Sequence, residues 1–376
     1  MRAAETGNHP AWRLSEFPPE ALGWLAGACA MTGERGDTQI VAIAKEIQRR
    51  LRDDPCADGF AIGYVVMLSK AFTKPSLVQD YDCVQAVCGF AVAMREHMPG
   101  TMGRNQRGTN AHTSDTAVLQ VRDYHPLAQA FDRAAQHVGA TDRRCRRTLN
   151  MMAREMSDLL AQGYRPGKVE MYALATLARV FSIYSRFTDC PDCAPMVIDV
   201  AEFFMTMLPA AADWEQVDAI CLCDLGHALS QVVRPACVPA MRALALEAKR
   251  RAHMRPPQDN PDAQALYLDD HQLSFMAHAC SKYLGEDICR EAIVALSDEG
   301  EARANAANEA GAFPHAMLLK LRAAYRKALA WTPAPPDTRK RTFGAANGPG
   351  AAPEQRRVRP RRQGNYQANG SASRRI

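Results

Sequence analysis

The sequence contains no long apolar run. Its best candidate, Ala61 to Leu68, is eight residues and is followed by Ser69 and Lys70, whereas a membrane-crossing helix needs about 20; no membrane partner is expected. Alternation of apolar and polar residues never persists beyond a few positions, so no strand pattern competes with helix. Enzyme signatures are missing as well. HExxH, GxGxxG and GxSxG occur nowhere in the chain, which removes the anchors of zinc-peptidase, dinucleotide and hydrolase readings. Gly163-Tyr164-Arg165-Pro166-Gly167-Lys168-Val169 has three residues between its glycines where a phosphate loop requires four, and Val169 stands where a magnesium-binding hydroxyl belongs. It reads as a turn between helices. No catalysis and no cofactor are expected.

A secretory apolar region is also lacking, and Met1-Arg2-Ala3-Ala4-Glu5 is too short and too acidic for a persuasive organelle presequence. The chain's 12 cysteines lie at scattered spacings, several inside helical patterns, unlike the framework of a small secreted domain, so reduced thiols are expected. Cys190-Pro191-Asp192-Cys193 supplies half of a tetrahedral zinc site. The nearest partners are Cys221, Cys223 and His227, but Cys221 and Cys223 fall at i, i+2 on a helix and point to different faces. A tight turn with neighbouring thiols is the expected outcome, with no metal.

What the sequence does have is core material and an uneven charge. Of 376 residues, 47% are apolar and 23% charged, which is ample for a buried interior. From Asp337 to Ile376 there are ten Arg/Lys against two acids, a surplus of eight, which leaves −3 for the remainder of the +5 total. A mildly acidic body thus carries a strongly basic, Gly/Pro/Ala/Asn-rich extension, the arrangement expected when the extension meets a polyanion.

Helical periodicity dominates from about Pro19 to about Trp331, and the fold class is all-α. Leu22, Leu25 and Cys29 recur at helical spacing, Gly33 to Gly36 closes that helix, and a second runs from an Asp37 N-cap through Ile40, Ile43, Ala44, Ile47 and Leu51. This pair recurs. Anchored at the first helix, LAGAC (Leu25), LSKAF (Leu68), FDRAA (Phe131), LARVF (Leu177), LGHAL (Leu225), MAHAC (Met276) and LRAAY (Leu321) are separated by 43, 63, 46, 48, 51 and 45 residues. The long gap holds GTMGRNQRGTNAHTS, read as an inserted loop. The expected architecture is an α-solenoid of about seven two-helix repeats, a curved rod whose small residues at Ala26, Ala28, Gly226 and Ala228 let neighbours approach. Residues 1–16 form an N-terminal arm, 17–335 the repeat domain with the inserted loop at 99–115, and 336–376 an extended tail.

The segments LGWLAGACAMTGERGDTQIVAIAKEI, FAIGYVVMLSKAF and MYALATLARVFSIY resemble the degenerate helical repeats of organellar RNA-binding proteins of the FAST-kinase-like and RAP-domain group, and more loosely octotricopeptide proteins. The resemblance spans Phe17 to Trp331. It implies a mitochondrial or plastid RNA-associated protein. The basic tail stands where the RAP domain of many members would be, so scaffolding or RNA holding is implied rather than a nuclease-like activity.

Candidate RNA-binding residues are basic. One slot of the repeat holds Lys70, Arg133, Arg179, His227 and His278, a weakly cationic ridge; acid-base use of these histidines, or of His271 beside Asp269 and Asp270, competes with a packing role. Second helices carry Arg49, Arg50 and Arg52; Arg143, Arg144, Arg146 and Arg147; and Lys249, Arg250, Arg251 and Arg255. Arginine forks match phosphate oxygens, and the Arg143 to Arg147 cluster is the strongest of these; solvated helix faces are the alternative. In the tail, Arg339, Lys340, Arg341, Arg356, Arg357, Arg359, Arg361, Arg362, Arg374 and Arg375 would follow a folded phosphate surface, with Phe343 and Tyr366 free to stack on bases. Asn369-Gly370-Ser371 matches a glycosylation sequon, incidental without a secretory signal.

The expected function is therefore a non-catalytic component or assembly factor of a mitochondrial ribosome, with rRNA and other ribonucleoprotein subunits as partners. A protein scaffold for an extended peptide and a transcript-specific RNA-processing factor are the alternatives.

Overall fold

The computed structural model describes residues 13–54, 61–97, 121–138, 142–164, 168–214, 217–254, 261–307 and 314–332. The chain divides into two units, Met1–Trp331 and Thr332–Ile376; apart from Thr332, the second lies outside the described residues, as do the inserted loop at 99–115 and Arg255. Among the described residues the protein is all-α, without strands. Its helices are α1 (Pro19–Met31), α2 (Asp37–Asp53), α3 (Ile62–Phe72), α4 (Tyr81–His97), α5 (Val121–His137), α6 (Arg144–Ala161), α7 (Lys168–Tyr184) and α8 (Cys193–Met207). They continue with α9 (Ala211–Trp214), α10 (Ala219–Gln231), α11 (Val238–Ala252), α12 (Pro261–Leu266), α13 (Asp270–Cys280), α14 (Asp287–Ala307) and α15 (His315–Ala330).

Local chemistry accounts for their limits. Proline opens α1, where a missing N–H is harmless. Gly163 follows α6 at φ +82°, in the left-handed region that glycine enters without steric cost. Asp269 caps α13 reciprocally with Gln272. Asp37 does not act as the expected N-cap of α2. It is that helix's first residue, and its carboxylate pairs with Lys74, which also donates to the Gly33 carbonyl at 2.7 Å.

The seven anchors fall in α1, α3, α5, α7, α10, α13 and α15, and each of these helices packs on the next. The intervening α2, α4, α6, α8, α11 and α14 likewise pack in succession. Two rows of helices thus enclose one continuous apolar core, a repeat-like arrangement in which every amphipathic pair needs its neighbours to bury its face. The wider anchor spacings of 48 and 51 residues accommodate α9 and α12. Close approach is visible at Gly226, where a Cβ would lie 2.9 Å from Met276 Sδ.

A fastening recurs at the ends of three second-row helices. Arg50 takes Glu46, four residues earlier, at 2.8 Å and donates to the Phe17 and Leu14 carbonyls at 2.6 and 2.9 Å. Arg251 takes Glu247 and donates to Val217 and Trp214 at 2.6 and 3.0 Å. Arg303 takes Glu299 at 2.7 Å and donates to Leu268 at 2.8 Å. In each case an acceptor lies two residues before the first helix of the same pair, α1, α10 or α13. Backbone carbonyls at the entrance to a helix thus accept from a guanidinium held in place by its own glutamate.

Candidate nucleic-acid interface

The first-row helices meet through a fixed register. The residue two places after one anchor lies beside the residue one place before the next. At α1 and α3 these are Gly27 and Met67, where a Cβ on Gly27 would sit 3.2 Å from Met67 Cε. At α7 and α10 they are Arg179 and Asp224, an ion pair of 2.9 Å in which Thr176 also donates to Asp224 at 2.7 Å. At α10 and α13 they are His227 and Phe275, with ring centroids 5.1 Å apart. Helical spacing places Ile220, Asp224 and His227 on one face of α10. His125 on α5 meets Tyr172 on α7 edge to face at 5.6 Å and approaches Gln129 at 2.8 Å.

The slot expected to form a weakly cationic ridge holds both neutral and charged groups. Burial, reinforced by Lys70 and Arg179, pushes His125 down to about 4; burial, reinforced by Arg179 and His278, does the same to His227. His278 is also lowered, by burial and by Lys282, Lys327 and Lys320. At neutral pH the imidazoles of His125 and His227 are therefore uncharged. The positive charge resides on exposed Lys70, Lys282, Lys320 and Lys327, with no carboxylate in ion-pair range among the described residues, and on Arg133, which donates to the Thr73 carbonyl at 2.7 Å.

The Arg143 to Arg147 cluster divides. Arg144 forks onto Asp142, with contacts of 3.0 and 2.6 Å, and reaches Gln85 on α4 at 2.8 Å. Arg146 is buried, its guanidinium 4.8 Å from the centre of the Phe187 ring and 3.7 Å from Asp189. Arg143 and Arg147 are exposed, Arg143 standing 3.8 Å from Asp189. Two of the four thus bind the fold to itself and two face outward. Arg339, Lys340, Arg341, Arg356, Arg357, Arg359, Arg361, Arg362, Tyr366, Arg374 and Arg375 lie outside the described residues.

Elsewhere in the second row, Arg49 pairs with Glu46 and Asp53, Lys249 with Glu291 and Arg250 with Glu247. Cys221 and Cys223 point apart, their thiols 3.9 Å from the Met171 carbonyl on α7 and the Gln272 carbonyl on α13 respectively. Cys190 and Cys193 are free, buried thiols, and Cys190 Sγ lies 3.5 Å from the Arg146 carbonyl. Among the described residues no three or more His, Cys, Asp or Glu side chains are grouped to hold a metal ion. The residues that sequence reasoning missed are Tyr172, Phe275, Lys282, Lys320 and Lys327; the last three were legible as lysines at the ends or on the open face of first helices. No protein-family model matches this chain, and neither does any curated protein or solved structure.

Proposed function

We propose that this chain is a non-catalytic RNA-associated α-solenoid of about seven helical repeats that serves a mitochondrial ribosome as a structural component or assembly factor, its Arg-rich C-terminal segment lying on rRNA. The partition of cations carries this reading. Arg49, Arg50, Arg250, Arg251 and Arg303 of the second row are engaged by glutamates of the same chain, whereas Lys70, Lys282, Lys320 and Lys327 of the first row face outward without carboxylate partners among the described residues. The segment from Asp337 onward adds ten basic residues against two acids. Uncompensated cations displayed on the helices and concentrated in an extension suit a polyphosphate, whose condensed counterions they release.

Same-row packing of successive helices supports the solenoid, and the resemblance of three repeat segments supports the organelle. Deleting residues 337–376 is expected to weaken RNA binding and flatten its salt dependence, and the tagged full chain is expected to sediment with ribosomal subunits until nuclease is added. Sedimentation that survives nuclease would instead favour a protein scaffold, a second reading for which the exposed Ile220 and Phe275 speak.

A further inference from the structure

Within the first row, one step is built from rings rather than ions. Phe275 is 38% exposed although its neighbours Ser274 and Met276 are buried, and its ring lies 5.1 Å from that of His227 at a tilt of 45°. An exposed phenylalanine held against an uncharged imidazole presents an apolar, π-faced surface. Arg179, tied to Asp224, borders it on one side. His278 follows Phe275 by three residues on α13, exposed Lys282 lies just beyond that helix, and exposed Lys320 and Lys327 stand on α15, which packs on α13.

Rings between cations match a nucleotide that exposes both of its parts, a flat base and a phosphate. A duplex shows such a surface its phosphates and sugar edges while its bases stay stacked inside, so the rings would gain nothing from it. An acidic peptide would engage the lysines alone. Resting on the RNA reading above, we propose that the His227–Phe275 step receives an unpaired RNA base while Lys320 and Lys282 hold adjacent phosphates, so that this face takes single strands in preference to duplex.

The test uses the full chain, a short oligouridine carrying one 2-aminopurine, and a duplex of equal length. Wild-type protein is expected to change the 2-aminopurine fluorescence on binding, as stacking does. Phe275→Ala is expected to abolish that change at saturation and to weaken single-strand binding about tenfold, with duplex affinity unaltered. Phe275→Tyr, which keeps a ring, is expected to restore both, and circular dichroism melts report whether each variant is folded. Equal losses for single strand and duplex, or no loss in folded Phe275→Ala, would overturn the proposal while leaving RNA association intact. Displacement of the RNA by polyglutamate with Phe275→Ala silent would assign the face to an acidic peptide and overturn it too. Absence of any RNA binding by the wild-type chain would remove both this proposal and the function on which it rests.

Discussion

Arg251 donates to the carbonyl of Val217, 34 residues earlier, at 2.6 Å while wholly buried. The same reach recurs from Arg50 to Phe17 across 33 residues and from Arg303 to Leu268 across 35. Each arginine closes its helix pair into a unit by tying the end of the second helix to the approach of the first. Three arginines that look from sequence like part of a phosphate-binding face thus hold the body together.

Removing Arg251 is therefore expected to act on stability. Arg251→Met leaves Glu247, itself only 4% exposed, without its buried partner and strips the Val217 and Trp214 carbonyls of a donor; the expected cost is about 3–5 kcal/mol. The double variant Arg251→Met, Glu247→Leu removes both charges and should recover much of that loss. Urea unfolding of the three proteins checks this. Equal midpoints for wild type and Arg251→Met would show that the fastening contributes nothing.

Acid is expected to destabilise the body in two stages. His125 and His227 are held at about 4 by burial and nearby cations, against about 6.5 in an unfolded chain. Between those values the unfolded state binds more protons, so stability declines as pH drops from about 6.5 towards 4. Glu46 is lowered foremost by its hydrogen bond from Arg49; at Glu247 burial pushes upward, but the bonds from Arg250 and Arg251 outweigh it. The stability these carboxylates supply is complete above their unfolded value of about 4.3 and vanishes as pH falls through their depressed folded values. Urea midpoints measured against pH should lose the upper slope in His125→Gln, His227→Gln and the lower slope in Glu46→Gln, Glu247→Gln.

The rows of helices were legible because helical periodicity is local and each pair repeats it. Leu68, Phe131, Leu177, Leu225, Met276 and Leu321 are all fully buried. The first pair is the exception: Leu25 is only partly buried and Ala26 occupies the interior. The roles of the arginines were not legible from charge, since a solvated and a buried guanidinium read alike. A glutamate four residues earlier was the available signal, present in Glu46 to Arg50, Glu247 to Arg251 and Glu299 to Arg303. Nor does sequence reveal that His227 is uncharged, because its burial, and the charges of Arg179 on α7 and His278 on α13 that reinforce it, are set by the packing of other helices.

The interface between α7 and α10 separates packing from charge display. Asp224 neutralises Arg179 at 2.9 Å, so Asp224→Asn keeps the shape and the Thr176 hydrogen bond while releasing one cation on the first row. RNA affinity is expected to rise and its salt dependence to steepen by about 0.7 in the logarithmic slope if the freed guanidinium takes one phosphate. Binding isotherms at several salt concentrations read this directly. A lower affinity, or an unchanged slope, would mean that RNA does not reach α7.

Arg146 and Lys320 give the sharpest contrast between the rows. Arg146 is buried on the Phe187 ring, so Arg146→Ala removes packed stem and charge together and is expected to lower the unfolding midpoint while leaving the salt slope of RNA binding unchanged. Lys320 and Lys327 are exposed and touch no carboxylate among the described residues; replacing both with alanine is expected to leave stability within about 0.5 kcal/mol and to flatten the slope by about 0.7 for each phosphate that is no longer neutralised. The exposed pair Arg143 and Arg147 belongs to the second row, and its double alanine variant tests whether that row also meets phosphate. A flatter slope there, with Lys320 and Lys327 silent, would move the RNA from the first row to the second and leave the ring step without a ligand.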